Sequence, residues 1–491
     1  MTPIPTHGVP ALRLRGTNGA TANGEGEFVL YWMTAARRLR YNWALQLAAA
    51  EARARGRPLL VLEALRAGHR WASDRLHRFV LDGMVEHARQ LEDTGVAYYP
   101  YVEPEHGDGH GLLETLAARS VCVVTDEYPA YFLPRMLEAV APRLRVPLVA
   151  VDSNGLLPVR AAGKSFTAAY HFRRFLQRNL ADHLFDAPEP DPLRTPLPAG
   201  NVDPGDVAER WPPATIAWLE SGDSLRDVAI DHGVAPVPIR GGEAAARAVL
   251  RSFLRDRLAR YGEARNHPDA NAASGLSPWL HWGHLSVHEV FSELARHENW
   301  SPARLAPRAD GRKQGWWGMS APAEAFLDEL VTWREIGFVE CARRNDYDRY
   351  ESLPEWARAT LADHGADPRD RLYSLEQFEA AETHDPLWNA AQRELLREGR
   401  IHNYLRMLWG KKILEWTESP REALAIMIEL NNRYATDGRD PNSYSGIFWC
   451  LGRYDRPWPE RAIYGKVRSM SSDSTRRKVR LDGYLRKYGT G

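Results

Sequence analysis

The chain has 491 residues and balances 64 Lys and Arg against 64 Asp and Glu, so any basic surface for nucleic acid must be local. Three widely separated cysteines, Cys122, Cys341 and Cys450, exclude a disulfide framework and a four-cysteine iron–sulfur cluster, and they favour a reducing compartment. No apolar leader and no run of about 18 apolar residues occurs, so we expect a soluble, cytoplasmic protein without a membrane segment. The 17 tryptophans are several times ordinary usage and favour a protein that uses indoles for more than packing.

Short apolar runs alternate with helical patterns between residues 28 and 153. Five of these runs predict strands, and they start at Phe28, Pro58, Val96, Val121 and Val146. Strands that alternate with helices predict an α/β fold with a doubly wound parallel sheet of the Rossmann-like kind. Neither a G-x-G-x-x-G after the first strand nor a P-loop is present, so the sequence supports no dinucleotide or nucleoside triphosphate site there.

The second half of the chain is helical in pattern almost throughout, including a long helix that is predicted to end near Tyr261. Residues 186–213 are rich in Pro and acidic side chains, which predicts a connector with little regular structure. A length of 491 residues exceeds what one hydrophobic core usually holds. We therefore predict an α/β domain over 1–185, a linker over 186–213 and an all-α domain over 214–491.

One stretch of the helical half, residues 385–442, has an unusual composition for a plain core. A helix is predicted from about Glu394 to Trp416, and the residues that recur along one side of it are Asn403, Arg406, Trp409, Ile413 and Trp416. Trp388 lies upstream, and a polar loop of turn formers, DGRDPN, follows at 437–442. Indoles in file beside a polar pocket suggest stored redox equivalents and a bound planar cofactor. The alternative is a Trp-rich core with a surface loop, since aromatic stripes at helical spacing usually pack.

The runs DPLWNAAQ, IHNYLRMLWGKKILEW and DGRDPN resemble, in order and spacing, the flavin-binding half of DNA photolyases, most closely the class II cyclobutane pyrimidine dimer photolyases. FVLYWMTAARRLRYNWAL, from Phe28, resembles the start of the same proteins. The resemblance implies a helical domain that binds FAD and repairs ultraviolet-damaged DNA in light, by passing an electron from reduced flavin to a flipped-out dimer. It also implies an N-terminal domain that can hold a second, antenna chromophore, whose identity the sequence leaves open. We expect a monomer.

The resemblance assigns roles to three groups of residues. The FAD-binding group consists of Tyr261, Ser274, Gly275, Leu276, Ser277, Asn403, Arg406, Asp437, Asp440 and Asn442. The redox group consists of Asn431, which faces flavin N5, and the electron-transfer triad Trp388, Trp409 and Trp416. The dimer-binding group consists of Glu329, a hydrogen-bond partner of the pyrimidines, the walls Trp333 and Trp449, and the floor Met407. Glu329 and Trp333 are four residues apart on a predicted helix and so face the same way.

Several simpler or different interpretations stay open. Ser274 or Ser277 can simply cap a helix. His284 and His288 are four apart but lack a third ligand, so no metal site is predicted. The Arg and Lys residues near the C-terminus can touch phosphates or form a solvated helix face. The function can also be that of a cryptochrome-like photoreceptor without repair, or of a DNA-binding module without redox chemistry, and the sequence does not choose between cyclobutane dimers and the 6-4 product.

Overall fold

The computed structural model describes residues 4–198, 200 and 202–489, so Ala199 and Asn201 of the predicted linker lie outside the described residues. Two compact units are assembled from alternating stretches of the chain. The first comprises Met1–Ala162, Leu180–Val249 and Leu276–Glu293, and the second comprises Gly163–Asn179, Leu250–Gly275 and Leu294–Gly491. These units do not coincide with the contiguous division into 1–185 and 214–491, which stays a prediction.

The first unit contains a six-stranded sheet. Its strands are Leu14–Gly16 (β1), Phe28–Met33 (β2), Leu59–Leu65 (β3), Ala97–Val102 (β4), Ser120–Asp126 (β5) and Leu148–Val151 (β6). Their order is β1-β6-β5-β2-β3-β4, and the pairs are parallel except for the antiparallel pair of β1 with β6. The five predicted strands and the parallel sheet are confirmed. The edge strand β1 was not predicted, because three residues are too few to show an alternating pattern.

Helices make up most of the other regular structure. Before residue 300 they are Trp43–Arg55 (α1), Asp74–Leu91 (α2), Leu112–Arg119 (α3), Leu133–Val140 (α4), Ala169–Asn179 (α5), Asp206–Arg210 (α6), Ile216–Glu220 (α7), Glu243–Ser252 (α8), Leu258–Ala264 (α9), Ser277–His281 (α10) and Val287–His297 (α11). After it they are Ala321–Leu327 (α12), Arg334–Arg343 (α13), Glu355–Asp363 (α14), Leu375–Glu379 (α15), Pro386–Glu398 (α16), Asn403–Glu415 (α17), Pro420–Tyr434 (α18), Pro441–Trp449 (α19), Ser472–Lys478 (α20) and Asp482–Tyr488 (α21). The predicted helical C-terminal region is confirmed.

Both faces of the sheet are buried, which is why its parallel strands consist mostly of apolar residues. Along β2, Val29 and Tyr31 belong to one core together with residues of α1. Phe28 and Leu30 point the other way, into a second core with residues of α3. Successive side chains of a strand alternate between faces, so helices on both sides give the doubly wound arrangement.

The carboxyl ends of the parallel strands, where α/β sheets commonly bind ligands, hold the protein's own carboxylates. Asp126, at the end of β5, accepts hydrogen bonds from three consecutive backbone N–H groups at residues 34–36, at 2.8 to 2.9 Å. Glu103, just after β4, accepts from the backbone N–H groups of Ala67 and Gly107 at 2.9 and 3.1 Å. Backbone donors that bind these carboxylates cannot also bind a phosphate, in agreement with the lack of a Gly-rich motif.

Three predicted segments differ from the structure. The single helix predicted from Glu394 to Trp416 is wrong, because α16 ends at Glu398, where Gly399 adopts a left-handed φ of 66°, and α17 begins at Asn403. Glycine in this conformation is a common helix C-cap. The predicted linker contains α6, and the helix predicted to end near Tyr261 continues to Ala264.

None of the described helices is both long and apolar enough to cross a membrane. Within the described part of the chain, no group of three or more His, Cys, Asp or Glu side chains is arranged to hold a metal ion. The three cysteines are buried and unbridged.

Candidate active site in the helical unit

Two helices that carry predicted site residues are interrupted by a π turn. The first turn, Phe253–Arg257, lies between α8 and α9, shortly before Tyr261. The second, Asp328–Trp333, lies between α12 and α13 and contains Glu329 and Trp333, which are both half-buried. Single π turns inside α-helices occur frequently at functional sites. The geometry around Glu329 is therefore not that of the regular α-helix assumed from the sequence.

A buried ion pair holds the second π turn in place. Arg173, on α5, donates from Nε and Nη2 to the two carboxylate oxygens of Asp328, at 2.7 and 3.0 Å. The two side chains are only 5% and 9% exposed. Two parallel charge-assisted hydrogen bonds fix both the distance and the angle between the groups. The pair thus anchors the first residue of the turn that presents Glu329.

Glu329 is linked to Tyr261 through Arg265, a contact that the sequence does not reveal. Arg265 forms an ion pair with Glu329, and its guanidinium carbon lies 5.5 Å from the centre of the Tyr261 ring. Burial raises the pKa of Glu329, and the charge of Arg265 opposes that rise. Burial also raises the pKa of Tyr261. One arginine therefore connects a residue predicted to bind FAD with a residue predicted to bind the dimer.

The three predicted redox tryptophans form a continuous chain of rings. The Trp388 ring on α16 stacks on the Trp409 ring on α17, with centroids 6.4 Å apart and planes inclined by 6°. The Trp416 ring lies 6.1 Å from Trp388 at 67°. All three residues are buried: Trp388 is 0% exposed, Trp409 is 2% exposed and Trp416 is 4% exposed. Trp388 is thus the central member of the chain, although it precedes both others in the sequence.

Residues outside the predicted set contact this chain at both ends. Trp409 Nε1 donates to the side-chain oxygen of Gln392 at 2.9 Å, which fixes the orientation of the indole. At the other end, the rings of Tyr373 and His384 lie 5.7 and 4.9 Å from the Trp416 ring. Tyr373 is half-buried and His384 is exposed, so the aromatic contacts extend from the core to the surface. Neither residue belongs to the helical stripe from which the tryptophans were predicted.

The predicted Arg406–Asp437 pair is brought together, with Nη2 and Oδ1 3.5 Å apart and side chains 17% and 9% exposed. Arg406 Nε and Asp437 Oδ1 are nevertheless buried atoms that have no hydrogen-bond partner among the described residues. Buried polar atoms are rarely left unpaired in a native protein. A donor and an acceptor that lack hydrogen bonds, on the two residues of one ion pair, fit a ring system that offers both kinds of group, and the isoalloxazine of FAD is such a ring.

Asn431 and the loop 437–442 are packed tightly together. Asn431 is 2% exposed and donates from Nδ2 to Ser443 Oγ at 2.8 Å, which fixes its amide. A Cβ on Gly438 would lie 2.7 Å from the Asn431 carbonyl oxygen, so the loop requires glycine there. Asp440 accepts from the backbone N–H of Asn442 and caps α19, which gives this predicted FAD ligand a structural task.

The predicted phosphate-binding segment, residues 274–277, leads into the short helix α10, whose first residue is Ser277. The N-cap of α10 is Leu276 and no side chain caps the helix, so the simpler interpretation of Ser274 or Ser277 as a cap does not hold. Gly275 has a φ of 72°, and a Cβ on it would meet nothing within 4 Å.

The remaining predicted residues differ in their exposure. Asn403 and Asn442 are exposed, so neither is enclosed by the protein itself. Met407 and Trp449 are half-buried, and a Cβ on Gly446, one turn before Trp449 on α19, would lie 3.8 Å from Met407 Cε. The predicted floor and one predicted wall therefore adjoin the same side of α19.

Comparison with known proteins agrees with the fold. Residues 29–198 match the DNA photolyase family model. The chain is 34% identical over 479 residues to the deoxyribodipyrimidine photo-lyase of Methanothermobacter thermautotrophicus, which covers 97% of this chain and 98% of the relative. It is 36% identical over 472 residues to that of Oryza sativa subsp. japonica, with 93% and 86% covered. A crystal structure of a class III photolyase from Agrobacterium tumefaciens matches with a TM-score of 0.68 at 18% identity, over 94% of this chain and 86% of that one.

A Synechocystis cryptochrome has a related fold, with a TM-score of 0.63 at 16% identity over 94% of this chain and 88% of that one. The doubly wound sheet followed by a helical unit therefore defines a protein of the photolyase and cryptochrome class. Within that class, this chain belongs to the deoxyribodipyrimidine photo-lyases of the DNA photolyase family. The family resemblance inferred from the sequence is confirmed, and the protein is an enzyme of this family.

Proposed function

We propose that the enzyme binds FAD non-covalently and repairs cyclobutane pyrimidine dimers in light, in the manner of the class II photolyases. The observation that carries the proposal is the buried chain of rings Trp409–Trp388–Trp416, because Trp409 shares α17 with Arg406. Residues three apart on a helix are neighbours on its surface, so the chain reaches the vicinity of the unpaired Arg406–Asp437 atoms. A redox path beside unpaired polar atoms suits a planar redox cofactor.

The FAD would be held by residues from several segments of the chain. Arg406 and Asp437 would lie beside the isoalloxazine ring, and Asn431 would face its N5. Tyr261 and the segment 274–277 would hold the phosphates, because small side chains let backbone N–H groups approach an anion. The bound flavin, once reduced, supplies the electron that repair requires.

The tryptophan chain would carry electrons toward the flavin site and exclude water from the path. The ring centroids are 6.1 to 6.4 Å apart, and each indole is at most 4% exposed. A low-dielectric surrounding lets fixed charges and dipoles act strongly on a transient charge. Trp388 is the critical link in this arrangement, since it contacts both other rings.

The dimer would be bound by Glu329, Trp333, Trp449 and Met407. The indoles of Trp333 and Trp449 would supply stacking faces, which suit unpaired bases of any sequence. Glu329 would give a hydrogen bond to the pyrimidines at the point where negative charge develops, and Arg265 would hold its carboxyl in position. The dimer must leave the duplex to reach such a site.

The proposed partner is ultraviolet-damaged DNA, met by a monomeric enzyme in the cytoplasm. An antenna chromophore in the N-terminal region stays a prediction from the family resemblance. The alternative function is that of a photoreceptor without repair. It would be supported if the protein binds flavin but repairs no lesion.

Flavin release tests the cofactor assignment. Wild-type protein should release FAD on denaturation, and Arg406→Ala should retain much less flavin. Removal of one partner of a fully buried ion pair lowers the free energy of unfolding by about 3–5 kcal/mol. Because Arg406 is partly exposed, we expect a loss of stability at the lower end of this range. The control is Arg421→Ala, which breaks an exposed pair with Glu351 at 63% and 52% exposure and should leave flavin content unchanged. A wild type that releases no flavin would refute the proposal.

A further inference from the structure

Lys411 is a buried lysine to which the proposed function gives no task. Its side chain is 0% exposed, although it lies on α17 among the candidate site residues. Cys450, the residue after α19, lies very close to α17 here, because a Cβ on Gly410 of α17 would lie 2.6 Å from Cys450 Sγ. Lys411 Nζ donates to the carbonyl oxygen of Cys450 at 2.7 Å, and no described carboxylate forms an ion pair with it. A buried charge without a counter-ion is costly, so its presence calls for a function.

The ammonium group of Lys411 faces an aromatic ring. Nζ lies 5.0 Å from the centre of the Trp449 indole, within the range of a cation–π contact. Trp449 is half-buried, so part of the indole stays accessible while Lys411 is enclosed. Under the proposed function, the accessible part of this indole is one wall of the dimer site. The lysine charge and the dimer would then contact the same indole, whose ring centre also lies 5.7 Å from the guanidinium carbon of Arg468.

We propose that Lys411 is a positioning residue for repair that acts through Trp449, its charge stabilising the negative charge that a stacked pyrimidine dimer carries after it accepts an electron. The inference rests on the proposed function. One electron passes from a reduced flavin to the dimer, the two C–C bonds that join the pyrimidines break, and one electron returns. No further reductant or proton is consumed. A charge fixed in a low-dielectric core acts over the thickness of an indole without reorganising.

The groups around Nζ determine how this charge depends on pH. Burial lowers the pKa of Lys411 to about 8, the Asp455 carboxylate favours its charged form, and Arg468 opposes it. Burial raises the pKa of Cys450 to about 11, so that thiol is neutral at pH 8. Tyr464 donates to the Lys411 carbonyl oxygen at 2.9 Å, and burial raises the pKa of its phenol. Lys411 therefore loses its charge as the pH rises through about 8, while Cys450 and Tyr464 stay neutral.

Two variants separate the charge of Lys411 from its hydrogen bond. Lys411→Met removes both, whereas Lys411→Gln removes the charge but keeps a donor for Cys450. Lys164→Met removes the same charge from an exposed position and serves as the control. Each protein is loaded with chemically reduced FAD and given an oligonucleotide with one thymine dimer. Repair per absorbed photon should fall by roughly three- to tenfold in both Lys411 variants.

Affinity for the damaged oligonucleotide should stay close to wild type in the Lys411 variants. The repair yield of wild type should decline between pH 7 and 9, and that of Lys411→Met should not. Wild-type yield in both Lys411 variants, or the same decline with pH in all proteins, would overturn the inference. If Lys411→Met fails to fold, Lys411→Gln decides by the same criteria. A wild type that repairs no dimer would refute the proposed function instead.

Discussion

Replacement of Arg173 by Met is expected to destabilise the second unit, which contains both Arg173 and Asp328, substantially. In wild type the Asp328 side chain is 9% exposed and accepts two hydrogen bonds from Arg173, of 2.7 and 3.0 Å. The substitution leaves this buried carboxylate without a counter-charge. Removal of one partner of a buried ion pair typically costs about 3–5 kcal/mol. The expected loss is of that order in the free energy of unfolding, measured from urea denaturation curves followed by tryptophan fluorescence. Because Asp328 begins the π turn, the same variant should also bind damaged DNA less tightly.

The double variant Arg173→Met/Asp328→Leu provides the decisive comparison. Replacing both charges with apolar groups of similar size removes the uncompensated charge, so most of the lost stability should return. Arg421→Met, at a pair exposed to solvent, should change the free energy of unfolding by less than about 1 kcal/mol. If the loss in free energy of unfolding of the double variant equals the sum of the losses of the two single variants, the proposed anchoring of the π turn is refuted.

Three further predictions concern the redox path, the dimer site and the buried lysine. Trp388→Phe should abolish light-driven reduction of bound oxidised flavin without loss of flavin, whereas Trp317→Phe, another buried indole, should not; equal photoreduction in both would make Trp388 ordinary core. Trp449→Ala should weaken binding of damaged DNA by about 1–3 kcal/mol in a titration, and Glu329→Ala should lower repair yield more than affinity; the reverse pattern would exchange their roles. For Lys411, whose pKa falls from 10.5 to about 8 on folding, the unfolded chain binds the proton more tightly. Wild type should therefore gain stability relative to Lys411→Met by about 1.4 kcal/mol per pH unit between pH 8 and 10.5, and a stability difference independent of pH would contradict this.

The sheet could be predicted from sequence because its signal is local. Each of the five parallel strands contains a run of apolar residues, which follows from burial on both faces. The short strand β1 has no such run. It is held by Arg13, which is fully buried and donates to the backbone oxygens of Asp152 and Leu156, more than a hundred residues away. Pairing at that separation leaves no trace in a local pattern.

The site could be predicted in composition but not in arrangement. Helical spacing placed Trp409 and Trp416 on one side of a helix, yet it could not show that Trp388 lies between them, because this depends on how α16 packs against α17. The break between these helices was readable, since Gly399 is a typical C-cap. The Arg265–Glu329 pair joins the residue after α9 to the π turn between α12 and α13, and no spacing rule connects them.

Light-dependent repair of a defined lesion measures the proposed activity of the enzyme itself. Wild-type enzyme with chemically reduced flavin is mixed with an oligonucleotide that carries one cis-syn thymine dimer, and the product is quantified after blue light and after darkness. Intact thymines are expected only in the illuminated sample, with the same outcome for Trp388→Phe, because the tryptophan chain passes electrons to the flavin and not to the dimer. An unrepaired dimer in the light with flavin bound and reduced would contradict the proposed function.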